Sequence, residues 1–284
     1  MKLLILSDGK KGHENQSIAY AKLLGASYRI QQVRFRSRLH KALSYLLDWL
    51  GIYSDTLFAP MAISCDFDAV VGAGSGTYYA AKLIAKRCGA KSIALMQPKG
   101  YRKNFDKVYA QYHDGGTMPI NFSLSHPQGH YKCDGKCVAM IVGGSNAVYT
   151  MRREDIQKVV DFIFTHFPQH KKLLTTSPRT PKEIEEYLSQ QPFDYKVIFS
   201  QNPINPIGDF LACCERVFIT IDSTSMISEA VSSGKAAVEV VPLPAKKGSK
   251  YQKMVDHLQT LGALHIFDGS IADAAKKIDL KEYL

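Results

Sequence analysis

The stretch Val217-Phe-Ile-Thr-Ile-Asp222-Ser-Thr-Ser-Met-Ile-Ser-Glu229-Ala230, continued by Val231-Ser-Ser-Gly234-Lys235 and Ala236-Ala-Val-Glu-Val-Val241, reads as strand, turn, helix and strand. A β-branched and aromatic run gives way to hydroxyl and acidic residues. A helical pattern closed by glycine follows, and then a second apolar run. A βαβ unit of this kind puts Asp222-Ser223-Thr224-Ser225 at the carboxyl end of a parallel strand and the amino end of a helix. Free N–H groups and the helix dipole favour an anion there. On that helix Met226, Ile227, Ala230 and Val231 share the side that packs on a sheet, whereas Ser225 and Glu229, four apart, share another stripe. Glu229, one turn in, is placed to accept hydrogen bonds from ribose hydroxyls. The competing reading is that Ser223 or Thr224 only caps the helix and Glu229 is a solvated face residue.

Working toward the amino terminus, other strand ends carry polar loops of the same kind. Val142-Gly143-Gly144-Ser145-Asn146 offers glycine N–H groups that can approach phosphate oxygens. Ser177-Pro178-Arg179-Thr180-Pro181 places a guanidinium where it can pair with a diphosphate. Asn202-Pro203-Ile204-Asn205-Pro206 offers a rigid wall for a base. With Asp222 to Ser225, these four loops at one edge point to a nucleoside-diphosphate pocket. They belong to an alternating series: Val138–Val142, Glu154–Phe167, Lys172–Thr176, Glu183–Gln190, Tyr195–Phe199 and Ile207–Cys214.

An earlier series precedes it: Leu3–Leu6, Gln16–Leu24, Tyr28–Val33, Leu39–Leu50, Ala69–Val71, Tyr78–Arg87 and Ser92–Leu95. Alternation of this type predicts a parallel sheet covered by helices. The Pro, Gly and His residues between Ser123 and Lys136 read as an interdomain linker. The first strand runs into a glycine-bearing loop, Ser7 to Gln16, in which His13, Glu14, Asn15 and Gln16 are more functional groups than a connection needs. Gly72-Ala-Gly74-Ser75-Gly76 follows a strand. Its spacing is not Gly-x-Gly-x-x-Gly and no acid ends a strand about 20 residues later, which argues against a dinucleotide oxidoreductase and for close backbone approach to a substrate. Gln97 and the pair His113-Asp114 stand at further strand ends, with His113 an acid or base candidate or a structural histidine.

The chain has 284 residues, 45% hydrophobic and 22% charged, a formal net charge of +10 and a pI near 9.2. Those values describe an ordinary globular protein large enough for two domains, with an anionic partner. Aromatic and basic residues do not interleave as single-strand binders require, so no nucleic acid is expected. Met1 to Ser7 is too short for a secretory signal, and no apolar run approaches the roughly 18 to 20 residues that span a bilayer. Between Arg34 and Leu50, Arg34, Arg36, Arg38 and Lys41 meet Leu39, Leu43, Leu46, Leu47, Trp49 and Leu50, a composition suited either to an anionic membrane surface or to a core-facing helix. The six cysteines read as buried or incidental thiols of a reducing compartment. Cys133 and Cys137 would be half a metal site, but no second pair follows at suitable spacing.

Taken together, Asp8-Gly9 through Gln16, Gly72 to Gly76, Gln97-Pro98, His113-Asp114, Gly143-Gly144, Thr176 to Pro181 and Asp222-Ser-x-Ser-Met-x-Ser-Glu229-Ala with Gly234-Lys235 resemble the mitochondrial fission "elongated mitochondria" family and its bacterial relatives, which are read as glycosyltransferases. The wider architecture is similar to the GT-B glycosyltransferases, including the lipid-linked enzymes of peptidoglycan and lipid A synthesis. Two departures from the pattern stand out: Pro178 where a second arginine is expected, and Cys214-Glu215 in place of Ala-Asp.

The resemblance implies an α/β protein of two Rossmann-like doubly wound domains facing a cleft. Residues 1–136 form the acceptor side, in which segment 34–50 is the stretch whose composition suits either a membrane surface or a core-facing helix, and residues 137–284 bind the nucleotide sugar. It implies no cofactor and no obligatory metal, and it assigns Gly143, Gly144, Arg179, Ser223, Ser225 and Glu229 to the donor, with Glu229 on the ribose. Ser145, Asn202 and Asp222 complete the expected donor set, while Gln16, Gly74, Ser75, Gln97, His113 and Asp114 form the acceptor side. Glu14 or His13 is the expected base. The expected activity is sugar transfer from a nucleotide sugar to an envelope glycolipid or lipopolysaccharide-type acceptor. The enzyme would be cytoplasmic and peripheral on the inner face of the membrane. A non-catalytic membrane adaptor and a nucleotide-sugar epimerase are the alternatives.

Overall fold

The two alternating series become two parallel sheets in the computed structural model, which describes residues 1–246 and 249–284. The chain divides into a unit of residues 1–123 with 280–284 and a unit of residues 124–279.

In the first unit β1 (Lys2–Ser7), α1 (Lys11–Leu23), β2 (Ser27–Gln32), α2 (Arg38–Leu50), β3 (Ala69–Ala73), α3 (Tyr78–Cys88), β4 (Lys91–Leu95) and β5 (Lys107–Tyr109) give a five-stranded sheet of order β2-β1-β3-β4-β5. All four pairings are parallel, so every strand ends at the same edge. β1 and β3 are buried nearly throughout, which is why they read as unbroken apolar runs. From β1 the chain first moves outward to β2 and then returns to the other side for β3, making β1 and β3 a topological switch point. Tyr78, Tyr79 and Phe58 fill the core beneath α3.

The second unit comprises β6 (Cys137–Ile141), α4 (Arg153–His166), β7 (Lys171–Thr175), α5 (Lys182–Gln190), β8 (Tyr195–Val197), α6 (Ile207–Cys213), β9 (Arg216–Thr220), α7 (Thr224–Ser232), β10 (Ala237–Val241), α8 (Lys250–Thr260) and β11 (His265–Ile266). Its six strands run in the order β11-β10-β9-β6-β7-β8, again parallel, with the switch point between β6 and β9. The stretch Val217 to Val241 is the β9-α7-β10 unit it was expected to be, and the fold is two-domain, Rossmann-like α/β. β5 and β11, of three and two residues, are too short to show a period in sequence.

Three expectations change. Residues 124–136, read as linker within the first domain, pack with the second unit: the N–H groups of Gln128, Gly129 and His130 donate to the carboxylate of Asp209 on α6, at 2.9, 2.9 and 3.1 Å. The helix after β1 starts at Lys11, two residues beyond Gly9 at φ +81° and with Lys10 as its N-cap residue, so His13, Glu14 and Gln16 stand on α1 and not in a loop. Four of the six cysteines are paired, as Cys65–Cys88 and Cys133–Cys213, while Cys137 and Cys214 are buried thiols. The expectation of incidental thiols overlooked partners 23 and 80 residues apart, and Cys133 turns to Cys213 and not to Cys137. Among the described residues no helix is long and apolar enough to cross a membrane.

Candidate functional site

In the second unit a single buried carboxylate organises the loops at the β6/β9 switch point. Asp222 accepts from the Gly144 N–H (2.9 Å) and the Thr220 hydroxyl (2.7 Å), and the Arg179 guanidinium lies 3.0 Å away. The Thr220 oxygen in turn accepts from the Gly143 N–H (2.8 Å), and the Asn146 side chain donates to the Asp222 carbonyl (3.2 Å). Loops from β6, β7 and β9 are thereby tied together. Burial raises the Asp222 carboxyl above its ordinary range, against the hydrogen bonds from Thr220 and Gly144 and the charge of Arg179, which hold it down.

The glycines therefore act by shape. Their N–H groups, expected to meet phosphate, are donated to Thr220 and Asp222 instead. A Cβ on Gly143 would strike the Asp222 carboxylate, and one on Gly144 the Arg179 carbonyl. Ser145 accepts from the Met151 N–H at 3.0 Å and fixes the same turn. What stays open toward solvent is Arg179, whose side chain is 44% exposed, and exposed Ser225 in the first turn of α7. Ser223 is the N-cap residue but makes no side-chain cap. The backbone bond back to the cap is from Ile227 at 3.1 Å, and the N–H groups of the turn before it have no acceptor within the helix.

One turn further, burial pushes the Glu229 carboxyl up to about 7, opposed by a hydrogen bond from Ser125. Asn202 is exposed in the loop after the edge strand β8, and the hydrogen bonds of the Asp222 carboxylate run to Gly144, Thr220 and Arg179.

The first unit gathers its candidates at its own switch point. His13 Nδ1 lies 3.1 Å from both carboxylate oxygens of Asp8. Its ring covers Gly74, at φ +82°, where any Cβ would collide with the imidazole, and a Cβ on Gly76 would lie 2.7 Å from that of Asp8. Only glycine lets the β1 and β3 ends approach this closely. Ser75 Oγ accepts from Lys41 Nζ at 3.0 Å, and the Tyr101 hydroxyl donates to the Ser75 carbonyl at 3.2 Å.

Along the same edge Gln97 is half-buried after β4. It follows Met96 at φ +78°, whose carbonyl and that of Leu95 both accept from the Tyr78 hydroxyl. Asp114 pairs with Lys99 at 2.7 Å, linking the β5 and β4 ends, and His113 lies 3.8 Å from Asp114. Gln16 is buried and donates to Asn121 at 3.3 Å, a role inside the unit.

Asp8, Thr220 and Ser125 were absent from the expected site. Only Asp8 carried a local signal, as the acid ending the first strand.

Comparison with known proteins places these two sheets. The structure of MnaA with UDP from S. aureus superposes with a TM-score of 0.53 over 96% of this chain and 86% of that one, at 12% identity. A Listeria monocytogenes structure, described as that of a candidate UDP-N-acetylglucosamine 2-epimerase, gives 0.50 over 93% and 83%, at 10% identity. Likenesses at such identities establish the fold. In sequence, protein RP120 of Rickettsia prowazekii (strain Madrid E) is 23% identical over 327 residues, covering 95% of this chain and 92% of its own. The sequence model of the family described as Mitochondrial fission ELM1 matches residues 11–283, and the chain belongs to that family.

Proposed function

We propose that the protein is a glycosyltransferase that uses a nucleoside-diphosphate sugar, with the donor held by the second unit and the acceptor hydroxyl activated by the first. The observation that carries this reading is the Asp222 cluster, which holds Arg179 beside the amino end of α7 with Glu229 one turn along. An exposed guanidinium and N–H groups with no acceptor within the helix suit a diphosphate, and a carboxyl beyond them suits ribose. The UDP in the MnaA structure and the UDP-sugar named for the Listeria protein support UDP as the first nucleotide to test.

In the transfer, the acceptor hydroxyl oxygen bonds to the sugar's anomeric carbon while the bond from that carbon to the diphosphate oxygen breaks. His13, oriented by Asp8, takes the hydroxyl proton. Arg179 and the α7 N–H groups take the charge that develops on the leaving nucleoside diphosphate. Asp8 acts through His13, as a positioning residue. The choice of His13 over Glu14, one residue on, rests on the Asp8 carboxylate that orients the imidazole.

A thermal-shift screen of nucleotides and nucleotide sugars tests the proposal: stabilisation by one nucleotide class supports it, and none across the screen sinks it. The same fold in the Listeria protein keeps epimerisation as a second reading, and that activity would convert a free UDP-sugar with no acceptor present.

A further inference from the structure

Helix α2 is turned inside out. Its buried residues are Ser44 and Asp48. Leu39, Leu43, Leu46 and Leu50, spaced to share one face, are 80, 43, 54 and 52% exposed; Trp49 beside them is 71% exposed, and Ile52 continues the patch at 52%. The inward face is held by specific bonds. Asp48 pairs with Lys82 at 2.8 Å and accepts from the Arg102 N–H (2.7 Å) and the Tyr53 hydroxyl (3.1 Å). Ser44 meets the Tyr101 hydroxyl at 2.8 Å, and Tyr45 stacks on Tyr101. Rotating the helix to bury its leucines would break every one of these and strand a buried charge.

The charge around the patch is predominantly positive, with Asp55 the exposed acid at its far end. Between Ser27 and Ser54 the chain carries Arg29, Arg34, Arg36, Arg38 and Lys41 against two acids of which Asp48 is buried, if Asp55 just beyond is counted. Arg34, Arg36 and Arg38 are exposed where the patch begins, and Arg102 and Lys103 are exposed nearby in sequence to the Asp48 contact. An apolar stripe with a tryptophan and a basic flank matches the headgroup layer of an anionic bilayer. A second copy of the chain would bring the same arginines against one another.

We propose that the outward face of α2, from Leu39 to Ile52, lies in the interface of an anionic lipid bilayer, with Trp49 at headgroup level. The bilayer contact stands on α2 alone. That the sugar acceptor is carried in that bilayer rests on the transferase reading above. Lys41 and Tyr101 join the inner side of the helix to Ser75, so the lipid would lie about one helix diameter, ~10 Å, from the turn that His13 covers. An acceptor anchored in the membrane would then reach the base with only its headgroup extended.

Trp49 is the only tryptophan in the chain, so its emission reports this face directly. Titrating the protein with phosphatidylcholine vesicles, with and without phosphatidylglycerol, should shift that emission to the blue and sediment the protein with the phosphatidylglycerol vesicles. Leu39→Ser with Leu46→Ser, both exposed and distant from the core, should weaken partition roughly tenfold or more while leaving the melting temperature in place. Arg34→Gln with Arg38→Gln should remove most of the preference for phosphatidylglycerol. Unchanged emission and no co-sedimentation would overturn the proposal. So would a blue shift that grows with protein concentration in the absence of vesicles and tracks a dimer in ultracentrifugation, since a second copy would then cover the face. Nucleotide-induced thermal shift, measured on the same Leu39→Ser, Leu46→Ser variant, separates the two readings: its retention with vesicle binding lost confines the change to the membrane face.

Discussion

Arg179 and Asp222 meet at 3.0 Å across 43 residues of sequence, with the carboxylate fully buried and the guanidinium 44% exposed. One partner anchors and the other projects, so substitutions at the two ends should separate. Arg179→Lys keeps the charge but loses the planar fork, and nucleotide affinity measured by calorimetry should fall about tenfold with little change in stability. Asp222→Ala removes the acceptor shared by Gly144 and Thr220 and leaves Arg179 unpaired; urea unfolding should show a loss of about 2–4 kcal/mol. Equal destabilisation by both would refute the division of labour.

The Asp8–His13 pair predicts a graded kinetic series. His13→Ala should lower kcat by about 10²-fold or more, and Asp8→Asn by somewhat less, because the imidazole keeps its place over Gly74 but loses the group that orients it. KM for the donor should be unaffected in both. Glu14→Gln should retain turnover; if it abolished turnover while His13→Ala did not, the base would be reassigned.

Glu229 predicts a pH signature. Its carboxyl is raised by burial from 4.5 to about 7, so the folded protein binds a proton that the unfolded chain has released across that window. The stability this group contributes is complete below pH 4.5 and is lost as pH rises through about 7. Glu229→Gln should flatten that fall in a set of melts from about pH 5 to 8. Ribose hydroxyls favour the ionised carboxylate as acceptor, so nucleotide binding should tighten as pH rises through the same range and release a proton. Calorimetry in two buffers of different ionisation enthalpy would reveal the release, and identical heats would remove Glu229 from the ribose.

Asp209 holds three successive N–H groups of the segment 128–130 from α6. Asp209→Ala should cost about 2–4 kcal/mol, and Asp209→Asn, which keeps one acceptor oxygen, about half as much. The neighbouring Gly208 packs so closely under His126 that any side chain there would meet its carbonyl. Proteolysis within 124–136 in the Asp209→Ala variant, and not in the parent, would locate the effect in this segment.

Sheet order and the turn after β9 were legible because buried parallel strands are unbroken apolar runs and a helix start after them needs hydroxyl residues. The roles within the site were less so. Gly143 and Gly144 announced a close approach, but that the approaching group is Asp222 and not a phosphate depends on a residue almost 80 positions away. The pattern of α2 gave its amphipathicity without its direction. Which face turns inward is decided by Lys82 and Tyr101, contributed by other elements. Asp209 and the cysteine partners likewise act over distances at which a local reading carries no signal.

Met96 is the one non-glycine residue among those described with a positive φ, +78°. A side chain in that conformation costs about 1 kcal/mol or more relative to glycine. Met96→Gly should therefore raise the melting temperature while loosening the backbone that presents Gln97 at the edge of the sheet. If the variant is more heat-resistant and slower in turnover, a single dihedral angle records a trade in which selection has kept the less durable protein because it is the more competent one.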